Sequence, residues 1–186
     1  MLWVRADRRD AIHPLVVSHG ANEPLAGRTR FRHEFDWTGT TDPTGYLALP
    51  EAIAWMGSAA APDGGGWSAL MAVNHALVLE GRDRVAAALR VEPPAPDSML
   101  GSMATLPFAA DLDEADGIAL ARALETEDGI QVPIGPWPVR AARHAGVRPR
   151  ILIRISAQRY NEPADCDRLA EALARRLRYG RVLTPE

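Results

Sequence analysis

Hydrophobic positions along the chain fall into runs separated by polar, proline-marked or glycine-marked breaks, and their periods predict the elements. From Trp67 to Leu89 the spacing W-x-x-L-M-x-V-x-x-x-L-V-L…V-x-x-x-L is helical, which predicts one long amphipathic helix despite Gly81. Upstream, Leu47, Leu49, Ile53 and Trp55 open an apolar pattern that predicts a helix from Pro50 to Ala61, with the proline accepted in its first turn. Pro62-Asp63-Gly64-Gly65-Gly66 then breaks it. This glycine run follows alanines rather than a strand and has no lysine, so it is not a phosphate loop. Near the start, Leu2-Trp3-Val4 reads as a short strand closed by the charged turn Arg5 to Asp10. Pro14 to Val17 is an apolar segment that leads into Ser18-His19-Gly20 and a polar loop ending at Arg32.

After the proline-rich link Val91 to Pro96 the pattern shortens. Gly101 to Phe108 reads as a strand, Ala115 to Glu127 as a helix ended by Gly129, and Ile130 to Ile134 as a second strand. Gly135 to Pro149 reads as loop. Arg150 to Gln158 alternates as a strand, and Glu162-Pro163 opens a last helix that runs to about Tyr179 with Leu169, Leu173 and Leu177 on one face. Strand, helix, strand, strand, helix predicts a small sheet covered by helices on one face. In I-L-I-R-I-S-A-Q, Leu152, Arg154 and Ser156 share one side of the strand, and Ile151, Ile153 and Ile155 share the other. A guanidinium carried on a rigid strand offers two parallel donors that match a carboxylate.

Composition narrows the chemistry. At 186 residues, 47% hydrophobic and 24% charged, the chain can build one sizeable core, or a small domain plus part of another. A net charge of -3 gives no electrostatic case for nucleic acid or a membrane as partner. All 21 basic residues are arginine, so no side-chain amine is available to attack an aldehyde. Cys166 is the only cysteine, which excludes an intrachain disulfide and points to a reducing, cytoplasmic setting. The first residues lack the basic-then-apolar pattern of a signal peptide, and no apolar run reaches membrane-spanning length. His13, His19 and His33 are scattered through loops without compact spacing, so no metal site is predicted.

Polar chemistry sits against a buried-looking element at Phe35 to Ile53, F-D-W-T-G-T-T-D-P-T-G-Y-L-A-L-P-E-A-I. Thr38, Gly39, Thr40 and Thr41 put three hydroxyls and a flexible glycine in a row before the turn Asp42-Pro43. Hydroxyls and backbone N–H groups just before a helix suit an anion such as phosphate, and they equally suit an ordinary helix cap.

The stretch W-T-G-T-T-D-P-T-G-Y-L-A-L-P-E-A-I resembles a segment of the class V aminotransferase family of pyridoxal-phosphate enzymes, in its isopenicillin N epimerase-like branch. Three further blocks agree in order: I-H-P-L-V-V-S-H-G from Ile12, S-M-L-G-S-M-A-T-L-P from Ser98, and R-I-S-A-Q-R-Y-N from Arg154. The resemblance implies an α/β fold, namely the C-terminal piece of such an enzyme. Residues 1–66 would be a remnant of the large cofactor domain, 67–90 the connecting helix, and 91–186 the small domain. It implies that Thr40, with Gly39 and Thr38, reaches across a homodimer interface to the phosphate of the neighbouring subunit's pyridoxal phosphate. It also implies that Arg154 binds the α-carboxylate of an amino-acid substrate, and Tyr160 and Asn161 match the same motif. The family's cofactor lysine would lie before the segment that resembles Met1 to Arg5. The chain is therefore expected to work with a complementing N-terminal half, or else to be a non-catalytic domain that self-associates or binds small carboxylates.

Overall fold

The computed structural model describes residues 2–22, 26–58, 64–109, 111–137 and 149–177. It is a mixed α and β structure that divides into two units, Met1–Ala52 and Ile53–Glu186, each taken here by itself.

The second unit holds the hydrophobic core. Helix α4 (Gly66–Leu89) follows the helical spacing and ends at Arg90, whose left-handed backbone closes the last turn. Strand β1 (Met103–Pro107), helix α5 (Glu114–Asp128), strand β2 (Ile134–Trp137), strand β3 (Arg150–Ser156) and helix α6 (Pro163–Arg176) follow. The three strands form an antiparallel sheet in the order β1-β3-β2. Ile151, Ile153 and Ile155 are buried beneath Val78 and Val85 of α4, Leu120 and Leu124 of α5, and Leu169 and Leu173 of α6. The opposite face carries Arg150, Arg154 and Ser156 in the open, as the strand alternation predicts.

Local signals fix the ends. Asp113 accepts from the Asp116 N–H at 2.8 Å and Asp116 answers at 3.1 Å, a reciprocal cap on α5. Gly129, at φ 67°, stops that helix in a conformation glycine adopts without strain. Gly81 is helical because α6 crosses it closely: a Cβ there would lie 2.5 Å from the Cys166 Sγ.

Four expectations shift. The strand predicted at Ile130 to Ile134 starts only at Ile134 and runs on to Trp137, because Pro133 has no N–H to give the ladder. The helix predicted from Pro50 begins at Thr44, so α3 (Thr44–Ser58) carries Pro50 in its interior. Its start is set by Asp42, which accepts from the Thr44 N–H at 2.9 Å, and by the Pro43 carbonyl, which accepts from Tyr46 and Leu47 at 3.0 Å. Leu2 to Val4 forms no strand; the Val4 carbonyl is taken by the Arg9 guanidinium at 2.9 Å, and a 3-10 helix, Ala6–Ala11, follows. The last helix ends its regular turns at Arg176, and residues 178–186, with 59–63 and 138–148, lie outside the described residues.

The first unit is organised by polar contacts. Helix α1 (His19–Asn22) lies on α2 (Arg30–Asp36), where Gly20 meets the His33 carbonyl so closely that a Cβ would sit 2.4 Å from its oxygen. Arg30 donates to Glu34 at 2.6 Å and to the Arg9 carbonyl at 2.7 Å, and His13 Nδ1 lies 2.9 Å from the same buried carboxylate. Gly20 and Glu34 are the buried residues of this unit among those described.

Candidate functional site

Two separate places carry the residues that the sequence singles out. In the first unit, α2 ends at Trp37, and Thr38, Gly39 and Thr40 turn away from it in the open. Gly39 has φ 141°, a backbone setting that favours glycine, although a Cβ there would meet nothing within 4 Å. Thr38, Gly39 and Thr40 line a cavity of about 380 Å³ with Trp37, Ser18 and His19. Thr41 does not line it.

At the start of α3 one backbone N–H is already taken by a side-chain cap. Asp42 already accepts from the Thr44 N–H there, and that hydrogen bond holds its carboxyl below the usual carboxylate range. A phosphate at the cavity would find hydroxyl donors from Thr38 and Thr40, and no arginine lines it. The Thr38 and Thr40 hydroxyls are the kind of donors an oxyanion accepts from.

In the second unit Arg154 sits on the middle strand, paired across β1 with Thr105, and its N–H donates to the Pro133 carbonyl at 3.0 Å. Its guanidinium is exposed and makes no side-chain hydrogen bond or ion pair among the described residues. Arg82, Arg84 and Arg176, by contrast, are all held by carboxylates. Arg154 lines a cavity of about 190 Å³ with Gln131, Ser156, Asn161, Asp165 and Cys166. That volume suits the head group of a small carboxylate and is below the usual range for whole ligands.

Asn161 is fixed in place by the turn into α6: its Oδ1 accepts from the Gln158 N–H at 3.0 Å, which leaves its Nδ2 as the free donor. Gln158 in turn accepts from Asn74 Nδ2 of α4 at 2.9 Å and from the Arg159 N–H at 2.7 Å. Asp165 closes a reciprocal cap with Glu162 at the start of α6, and burial raises the Cys166 thiol above its ordinary value. The structure therefore brings Arg154 and Asn161 together and leaves out Tyr160, which points to solvent at 82% exposure.

The Asn74–Gln158 link and the cavity residues Gln131 and Asp165 escape sequence reasoning. Only Asp165 had a local signal, as the residue three after the helix-opening Glu162. Among the described residues no group of three or more histidine, cysteine or acidic side chains is placed to hold a metal, and no helix is long and apolar enough to cross a membrane.

Compared with known proteins, the chain matches no family model and no curated protein.

Proposed function

We propose that the chain is the carboxylate-recognising, C-terminal part of a class V aminotransferase-like, isopenicillin N epimerase-like protein that uses pyridoxal phosphate on amino acids. The cofactor lysine would come from outside these 186 residues, which contain none. One observation supports the reading above the rest: Arg154 stands exposed and unpaired on the middle strand, at a small cavity it shares with Asn161. Its planar fork suits a carboxylate held by two parallel hydrogen bonds, and Asn161 Nδ2 adds a donor beside it. Thr40, with Gly39 and Thr38, would donate to the phosphate of the cofactor bound by the other copy in a homodimer. The cofactor, when bound, supplies electron withdrawal from the α-carbon, and this chain's part is to orient the substrate.

A second reading draws on α3. This 15-residue helix has no buried residue, although Tyr46, Leu47, Leu49, Ile53 and Trp55 project from it. Apolar surface on that scale marks a contact face, which suits a non-catalytic domain that self-associates and binds small carboxylates weakly.

Titration of the chain with L-alanine, followed by the Arg154 Nε–H resonance, tests the first reading. Arg154→Lys should weaken binding about tenfold, because a point-like ammonium replaces the fork. Equal affinity in the Lys variant removes Arg154 from the site and the proposal with it. Turnover that appears when a lysine-bearing N-terminal half is added decides between an enzyme part and a stand-alone domain.

A further inference from the structure

The open face of the sheet carries a second groove, of about 490 Å³, lined by Pro94, Thr105, Pro107, Trp137, Arg150 and Leu152. Strand register explains the set. Trp137 lies directly across from Arg150, and Pro107 directly across from Leu152, so all four project to the same side of the sheet. The indole is 62% exposed, and the Arg150 guanidinium makes no side-chain hydrogen bond or ion pair among the described residues. None of the lining residues is acidic.

Among the described residues, Arg150 and Arg154 stand exposed on this face of the sheet, and neither has an acidic side-chain partner. A flat indole beside an unpaired guanidinium matches a ligand with a planar ring and an anion attached. A phosphate near neutral pH carries up to two charges and three acceptor oxygens, more than a single carboxylate offers the Arg150 fork.

We infer that the outer sheet face binds a small aromatic phosphate such as a mononucleotide, its ring stacked on Trp137 and its phosphate held by Arg150. The groove holds one exposed aromatic ring, so one base is bound rather than a strand. Arg154 does not line this groove, so the inference stands apart from the proposed carboxylate site.

AMP is the probe, titrated into the whole chain by calorimetry and by the indole N–H resonances in NMR. AMP should bind at least tenfold more tightly than either adenosine or inorganic phosphate, and its affinity should fall as salt rises. Trp137→Ala and Arg150→Gln should each weaken AMP at least tenfold, while Arg154→Lys leaves it unchanged. Both altered positions are exposed, and far-UV circular dichroism confirms that the variants keep the fold. The indole resonance that vanishes in Trp137→Phe should be the one AMP shifts in the parent protein, a readout that needs no destabilised variant. AMP that binds no better than phosphate, or an unmoved Trp137 resonance, overturns the inference. So does a single-stranded oligonucleotide that binds more tightly per nucleotide than AMP.

Discussion

Asp128→Asn tests how the helical layer of the second unit is held. Asp128 is the last residue of α5, where the helix dipole disfavours a carboxylate, and it is kept there by arginines of α6. Arg176 Nε donates to its Oδ2 at 2.7 Å, Arg175 donates to its Oδ1 at 3.1 Å, and Arg176 reaches Glu127 at 2.9 Å. The Asp128 and Arg176 side chains are 14% and 12% exposed, while Glu127 is 41% exposed and gains little from its pair. Removing the carboxylate leaves a largely covered guanidinium with one exposed partner. Loss of a fully buried partner costs about 3–5 kcal/mol, and the solvent at this rim lowers the expectation to about 2 kcal/mol. The Arg176 hydrogen bond, and secondarily that of Arg175, holds the Asp128 carboxyl below its ordinary value. The group loses its proton more readily folded than unfolded, so its contribution is complete above the unfolded value of about 3.9 and fades as pH falls through the lower folded one. Urea unfolding of parent and Asn variant, followed by circular dichroism from pH 7 to pH 3, should show a gap of about 2 kcal/mol that narrows at the acid end. A gap below about 0.5 kcal/mol at pH 7, or one that does not change with pH, refutes the reasoning.

Gly20→Ala should disturb the first unit more than an ordinary surface change, because the new Cβ meets the His33 backbone and not a side chain that can swing away. Amide exchange in α1 and α2 should quicken in the variant, while α4 to α6 keep parental protection; unchanged exchange would mean that the contact is slack. Mixing the chain with pyridoxal phosphate and reducing with borohydride should leave no stoichiometric phosphopyridoxyl group on any side chain, since the chain has no lysine. One added group mapped to a position other than the Met1 amine would contradict this.

How much was legible depended on whether a signal was local. Helices α4, α5 and α6 follow from apolar spacing, and Gly129 and Glu162 mark the end of α5 and the start of α6 close to where they lie. Strand β3 was readable because Ile151, Ile153 and Ile155 alternate with Arg154 and its neighbours, which also put Arg154 on the correct face. The Leu2 to Val4 segment failed for the converse reason: a strand exists only by pairing, and no residue in that segment states whether a partner is there. The start of α3 was missed because Pro50 was weighed as a helix opener, while the decisive contact is made eight residues earlier by Asp42. The surroundings of Arg154 are assembled from α4, the segment 130–133 and α6, so no window of sequence contains them.

The all-arginine composition bears on both proposed anion sites more than on the fold. Arginine stays charged at any ordinary pH and presents a rigid fork, so it recognises carboxylates and phosphates without serving as a nucleophile or a proton carrier. A lysine in the same places would bind anions as a mobile point charge and could also become a reactive amine on burial. Arg150 and Arg154, unpaired among the described residues, would on either proposal be confined to holding an anion still. The Met1 α-amino group, with an ordinary pKa of about 7.7–8.0, is the one primary amine in the sequence, and nothing in the sequence positions it for chemistry. A side-chain amine for chemistry at an anion bound to Arg154 would have to come from outside these 186 residues. That requirement makes binding at Arg154 measurable separately from turnover, and a chain that bound carboxylates normally but never gained turnover with any lysine-bearing half would be a recognition domain.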